Sequence, residues 1–311
     1  MARTVLRLDT EDVLRTLEAV DPVELLAEEL IRRTIGDPGK ECTSTLVPWT
    51  GAATETEYVL SDDLGPGLGC AMPAAVLRMI HSAALAALAA RELLDPGGVT
   101  VAILGARFAT QAQLTVLARH VPDIVHVAVR FTDKPDCDTL EPRLVDQLDL
   151  AGIGFAVVAE LADSLFGANL VVAASDGALS EGIEQASIHD LVRGTLLVNT
   201  SGHDLPADLL DHVDQIYVDD LALLPRHADR HVVARHLAHR TTGPERSRDD
   251  LHPPAIAADL GQLLAGARPG RERQDDVVVV ELLSAQTPDI HLANTIAESA
   301  LRSGLGLRVT V

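Results

Sequence analysis

The sequence predicts an α/β fold, a Rossmann-like parallel-sheet domain inserted into a smaller α+β domain, and three observations predict it. The stretch Val99–Leu114, V-T-V-A-I-L-G-A-R-F-A-T-Q-A-Q-L, passes from a β-rich apolar segment through Gly105 into a helical pattern. That is the strand–turn–helix of a dinucleotide-binding unit. Apolar segments and helical patterns then alternate along the chain. The apolar segments are continuous rather than alternating, as expected for strands covered on both faces of a parallel sheet.

Taken in order, Val5–Leu8 reads as a short strand. Asp21-Pro22-Val23-Glu24 combines an N-cap, a proline at the first helical position and a glutamate three residues after the cap, which predicts a helix to about Thr34. Thr43–Val47 and Glu57–Leu60 read as strands and Asp62–Gly69 as a Gly/Pro-rich loop. An alanine-rich helix runs from Pro73 to Leu94, where Asp95-Pro96-Gly97-Gly98 stops it. The strands of the parallel sheet are expected at Val99–Leu104, Ile124–Val129, Gly154–Val158, Leu170–Ala174, Thr195–Asn199 and Gln215–Val218. Arg226 to Asp250 is polar, rich in His and Arg, and reads as peripheral. A strand at Val277–Val280, a helix from about Pro288 to Ser303 and a strand at Leu307–Val311 complete the chain.

At 311 residues the chain is long enough for two domains or for one domain embedded in another. Its 47% hydrophobic content is supplied by Ala, Leu and Val, with aromatics at only 2%. The formal charge of −21, with Lys40 and Lys134 the only lysines, excludes a nucleic-acid partner, which would need clustered cations. Three widely spaced cysteines, Cys42, Cys70 and Cys137, form neither a C-x-x-C pair nor an even framework, so no metal and no disulfide are expected. The N-terminus has no apolar signal core, and no run of about 18 apolar residues suggests a membrane span. The expected location is the cytoplasm.

The dinucleotide signature asks for G-x-G-x-x-G/A, but Arg107 stands at its second glycine and Thr110 at its third. Arg107 has two readings: it fills the pyrophosphate position, or its guanidinium grips the phosphates in a displaced pose. Gly105, Ala106, Arg107 and Phe108 form the candidate phosphate turn, with Ser175 after the Leu170–Ala174 strand as a further cofactor contact. His227, His231, His236 and His239 are flanked by Arg226, Arg230 and Arg235, which repel a cation, so a solvated helix face is favoured over a metal site.

Five blocks in order resemble the ornithine cyclodeaminase/mu-crystallin family. They are V-L-R-L-D-T-E-D-V at the start, A-A-L-A-A-R-E-L-L before the first strand of the parallel sheet, G-A-R-F-A-T-Q-A-Q-L, N-T-S-G-H-D-L-P-A-D-L-L-D-H-V-D-Q-I-Y-V-D-D, and L-G-Q-L-L-A-G-A-R-P-G-R. The resemblance implies that residues 1–93 with 286–311 form a substrate and dimerisation domain, and that residues 94–285 form the dinucleotide-binding domain. It places Asp204 beside the nicotinamide, where a carboxylate can hold an amine or move a proton. The alternative for Asp204 is an N-cap of the segment just after it. Arg130 matches an arginine of NADP-using members, since a guanidinium there accommodates a 2′-phosphate; the alternative is a surface arginine. The family's substrate lysine has no counterpart between Lys40 and Lys134, and His81-Ser82 replaces its Arg-Thr on the long helix. His81 is therefore a candidate carboxylate partner or proton carrier, or else a structural histidine. Asp259 stands for the family's glutamate before the L-G of the fifth block.

The implied activity is an NADP(H)-linked oxidoreductase acting on the C–N bond of a small amino or imino acid, assembled as a homodimer. The alternative is a redox-inactive family member serving as a binding or partner protein, or one with an altered, non-redox reaction.

Overall fold

Two aspartates start the first helices of the chain. The computed structural model describes residues 4–36, 45–49, 57–61, 68–132, 140–174, 183–242, 255–285, 287 and 289–310. After β1 (Thr4–Arg7), Asp9 forms a reciprocal capping box with Asp12 and opens α1 (Thr10–Thr16), a short helix not anticipated from the sequence. Asp21 accepts from the amides of Val23 and Glu24 to open α2 (Pro22–Ile35), which Gly36 ends in the left-handed conformation. Next come β2 (Thr45–Trp49), β3 (Glu57–Ser61) and β4 (Leu68–Pro73). The loop expected over Asp62–Gly69 thus gives way to a strand at Leu68, whose ladder with β3 overrides the poor strand propensity of Gly69 and Pro73. The long helix α3 (Ala74–Leu93) begins directly after it.

Alternation then starts with β5 (Val99–Gly105), α4 (Arg107–His120), β6 (Ile124–Phe131), α5 (Pro142–Leu150), β7 (Gly154–Val157), α6 (Leu161–Leu165) and β8 (Leu170–Ala173). It continues through β9 (Leu196–Asn199), α7 (Ala207–Leu210), β10 (Gln215–Val218), α8 (His231–Thr242), β11 (Ile256–Asp259), α9 (Leu260–Leu264) and β12 (Val278–Glu281). The chain closes with α10 (Ile290–Ser303) and β13 (Leu307–Thr310).

The chain divides into two compact units, residues 1–81 with 287–311 and residues 82–286, so the second is inserted in the first along the sequence. In the first unit the strands run β13-β1-β4-β3-β2, with β1 and β4 parallel and the other neighbours antiparallel. Leu8, Val13, Leu77, Ile80, Leu292 and Ile296 are central to its core, where α10 packs with α1 and α2. In the second unit the described strands form one wholly parallel sheet ordered β11-β10-β12-β9-β8-β5-β6-β7. Strands β8 and β9 are buried at every position, which is why their sequences are continuously apolar.

α3 is long and apolar enough by length and composition to cross a membrane, contrary to the expectation of no such run, and 78% of its apolar window is buried inside the protein. Ile80 to Ala90 is buried at every residue, and the alanines let neighbouring elements approach closely. Its C-terminal end is tied by Arg271, whose guanidinium donates to the carbonyls of Leu93 at 2.8 Å, Gly194 at 2.9 Å and Asp276 at 2.6 Å.

Candidate functional site

The strand order reverses between β5 and β8, and open parallel sheets bind ligands outside the strand ends at such a point. At this edge Gly105 ends β5, and a Cβ there would lie 2.1 Å from the carbonyl oxygen of Ala174. The first glycine of the signature is therefore required by the approach of the β8 end, whatever else occupies the crevice. The Ala174 amide in turn donates to the Leu104 carbonyl at 2.7 Å.

Helix α4 starts at Arg107, so the residue in the second-glycine position is already helical. Its N-cap is Ala106, which has no side chain able to satisfy the first amides, and the first turn carries no acidic residue. A long helix with an uncapped N-terminus at a sheet switch point fits an anion such as a pyrophosphate. Phe108 is exposed there, and Arg107 is half-buried. Thr110, in the third-glycine position, is fully buried against the sheet rather than lying in the turn. The neighbouring Gln113 is buried too, and its amide donates to Thr200 Oγ1 at 3.3 Å, joining α4 to the end of β9.

Arg130 lies one residue inside the end of β6 and is the register partner of Leu104. Its Nε donates to the Ala159 carbonyl at 3.0 Å, which fixes the guanidinium past the end of β7. Its Nη1 is buried without a hydrogen-bond partner among the described residues. This is no freely solvated arginine, and an orphaned cationic donor at the end of the second strand fits a phosphate-bearing ribose. Ser175 lies outside the described residues.

On the other side of the switch point a polar cluster fills the ends of β9 and β12. Asp204, on the loop after β9, accepts at Oδ1 from Arg230 Nε at 3.0 Å and from the His231 amide at 2.9 Å. It does not cap the segment that follows it: the N-cap of α7 is Pro206, with no side-chain bond. Asp204 is drawn instead to the start of α8, whose first amide it satisfies, while its Oδ2 lies 3.8 Å from Nδ1 of His231. Arg230 spends its guanidinium on this loop. Nη1 donates to the Gly202 carbonyl at 2.9 Å and Nη2 to that of His203 at 2.6 Å, and Nη2 also pairs with Glu281.

Glu281 is the last residue of β12, and its side chain is 1% exposed. Burial pushes its carboxyl up from 4.5 to about 7, against the opposing pull of Arg230 and the amide of Asn199. Asn199 also receives the Ser201 hydroxyl at 2.7 Å and donates to the His203 carbonyl at 2.8 Å, so the whole turn 199–204 is cross-braced.

Of the anticipated residues, Gly105, Ala106, Arg107, Phe108, Arg130 and Asp204 all belong to the second unit, around the strand ends or the first turn of α4. His81 is buried on α3 and belongs to the first unit. Asp259 caps α9 and accepts from the amides of Gln262 and Leu221, with burial raising its carboxyl above the ordinary range. Cys70 is buried in β4, and desolvation lifts its thiol to about 12. Among the described residues no group of three His, Cys, Asp or Glu gathers as a ligand set, and His236 accepts the Ile256 amide. Sequence reasoning missed Arg230, Glu281 and Asn199. The segment read as peripheral supplies Arg230 and the buried Val232 and Val233. The available signal was a lone acidic residue ending the valine run V-V-V-V-E.

A sequence profile of the ornithine cyclodeaminase/mu-crystallin family matches residues 49–304. The chain is 23% identical over 239 residues to N-((2S)-2-amino-2-carboxyethyl)-L-glutamate dehydrogenase of Staphylococcus aureus, covering 76% of this chain and 65% of that protein. Among solved structures, CmnK superposes with a TM-score of 0.67 at 20% identity, covering 99% of this chain and 98% of CmnK. An archaeal alanine dehydrogenase dimer with bound NAD superposes with a TM-score of 0.66 at 16% identity, covering 98% and 99%. These structures share the fold, and the matching profile spans most of the sequence, so the chain belongs to the ornithine cyclodeaminase/mu-crystallin family.

Proposed function

We propose that this chain is an NADP(H)-linked oxidoreductase acting on the C–N bond of a small amino or imino acid. The observation that carries the proposal is the pairing, along one sheet edge, of an uncapped helix N-terminus with a half-exposed carboxylate. The first fits a dinucleotide phosphate and the second an amine. Support also comes from the relatives: one is named as a dehydrogenase of an amino-acid derivative, and another is an alanine dehydrogenase holding NAD.

In this reading the first amides of α4 and Arg107 hold the pyrophosphate, and Arg130 offers Nη1, which has no partner among the described residues, to the 2′-phosphate. When bound, the nicotinamide supplies or accepts a hydride at the carbon of the C–N bond. Asp204 presents Oδ2, the oxygen not taken by Arg230 and the His231 amide, to the substrate nitrogen and gives or takes its proton. The first unit would form a homodimer interface, as the dimeric state of the archaeal relative suggests.

Titration of purified protein with NADPH and NADH, followed by turnover of a panel of cyclic and acyclic imino acids, tests the proposal. Saturable NADPH binding with imine-dependent oxidation is expected, and no binding of either form at about millimolar concentration would overturn it. The rival reading, a redox-inactive binding protein, is favoured by one observation: Arg107 occupies the position where a glycine normally lets the pyrophosphate approach.

A further inference from the structure

We propose that Glu281 is a positioning residue that, through Arg230, holds the Asp204 carboxylate where it meets the substrate. This rests on the reading of Asp204 given above. The geometry forms a chain of contacts: Asn199 donates to both Glu281 oxygens, Glu281 pairs with Arg230, and Arg230 Nε donates to Asp204 Oδ1 at 3.0 Å. Two features separate this chain of contacts from ordinary packing. Glu281 is a carboxyl buried at the end of a core strand, where an apolar residue would cost far less. Arg230 binds both carboxylates and both carbonyls of the Gly202–His203 turn, so its orientation is fixed from four sides. Removing Glu281 takes the carboxylate from Nη2 and leaves the guanidinium held from three sides, which loosens its hold on the Asp204 oxygen that Nε bonds.

Among the described residues, the other charged and titratable groups bearing on Glu281 are Arg230, Asp204 and Asp219. Arg230 faces it from the segment before α8, and Asp204 from the loop after β9. Asp219, after β10, adds a negative charge while its own carboxylate accepts the amides of Leu283 and Ser284. His231 bears on Asp204 rather than on Glu281. Because burial lifts the Glu281 carboxyl toward neutrality, Arg230 is braced by an ionised Glu281 above that range and loses that ionic brace below it, so its hold on Asp204 is firmer on the alkaline side. The grip on Asp204 should change over the same range.

The test is Glu281→Gln, read in two ways. With NADPH and a reducible imino acid, E281Q should bind dinucleotide within about twofold of wild type, lose at least about tenfold in kcat, and lose the limb of the kcat–pH profile near neutrality. A profile superimposable on that of the wild type would overturn the proposal, since a merely structural role would lower activity without moving it. The second reading needs no turnover. By NMR, the Arg230 Nε–H signal of the wild type should shift with the midpoint of the Glu281 side-chain carbon, and the His231 amide, which donates to Asp204, should exchange faster in E281Q. Coupled shifts support the inference even where no imine is reduced, in which case only the functional reading fails. If E281Q does not fold, the wild-type titration decides: an Arg230 signal unmoved between about pH 5 and 9 refutes the coupling.

Discussion

Asn199 and Glu281 are register partners on neighbouring parallel strands, and the Nδ2 of Asn199 reaches both carboxylate oxygens, at 3.1 and 2.9 Å. The pair plants a polar pin at the C-terminal edge of strands that are otherwise wholly aliphatic. Its cost is set by ionisation, and that makes it measurable.

Glu281 is shifted upward on folding, from 4.5 to about 7. Its native state therefore holds the proton more tightly than the unfolded chain, and the stability this supplies is fully present below pH 4.5 and lost as pH rises through 7. Glu281→Gln removes the titration. The wild type should lose about 3 kcal/mol relative to the variant across that window. Urea denaturation on either side of it checks the slope, and parallel curves for the two proteins would show that Glu281 does not carry the shift.

Gly105→Ala should destabilise the second unit by about 3 kcal/mol or more, because the added methyl meets backbone rather than a flexible side chain. Chemical denaturation without any ligand is the measurement. A stable variant whose only defect is in dinucleotide binding would mean that this glycine serves the ligand and not the β5–β8 contact.

Arg107→Gly distinguishes the two readings of the turn by sign. If the guanidinium grips phosphate, NADPH affinity should weaken by roughly 1.5–3 kcal/mol, the scale of a hydrogen bond to a charged group. Weakening is the expected result, since the helix N-terminus is uncapped and available to an anion. Binding that tightens from near zero would identify Arg107 as a block and favour the redox-inactive reading.

Arg130→Ala should abolish a preference for NADPH over NADH and leave NADH affinity within about threefold, since only the 2′-phosphate contact is removed. Isothermal titration with both forms is the readout. Equal affinities in the wild type would assign Arg130 to its bond with the Ala159 carbonyl and nothing more.

The parallel sheet was legible because strands β5, β8 and β9 are buried on both faces, which forces an uninterrupted apolar reading at each. The helix starting at Pro22 was equally plain, as capping by Asp21 is a local interaction. β4 was hidden, because its pairing with β1 is long-range and, with the β3 ladder, outweighs its glycine and proline. The candidate site was half legible. Gly105 and Asp204 stand in motifs, but Arg230 reaches Asp204 from 26 positions away and Glu281 from 51 beyond Arg230. No local pattern marks a pairing of that span. The surrounding His- and Arg-rich composition made Arg230 look like one more solvated cation.

The edge strand β13 has a consequence for the making of the protein. Arg7 is the register partner of Leu307, 300 positions later, so β1 leaves the ribosome long before its antiparallel neighbour exists. At ordinary elongation rates that interval is roughly 15–60 s. Throughout it β1 has an unpaired flank, the kind of template on which nascent chains stick together. The inserted unit, by contrast, has every strand it needs once Glu281 has emerged. Synthesis thus imposes an order, the inner unit first and the outer one last, and a chain stalled before β13 would be a finished inner unit attached to an open, aggregation-prone edge.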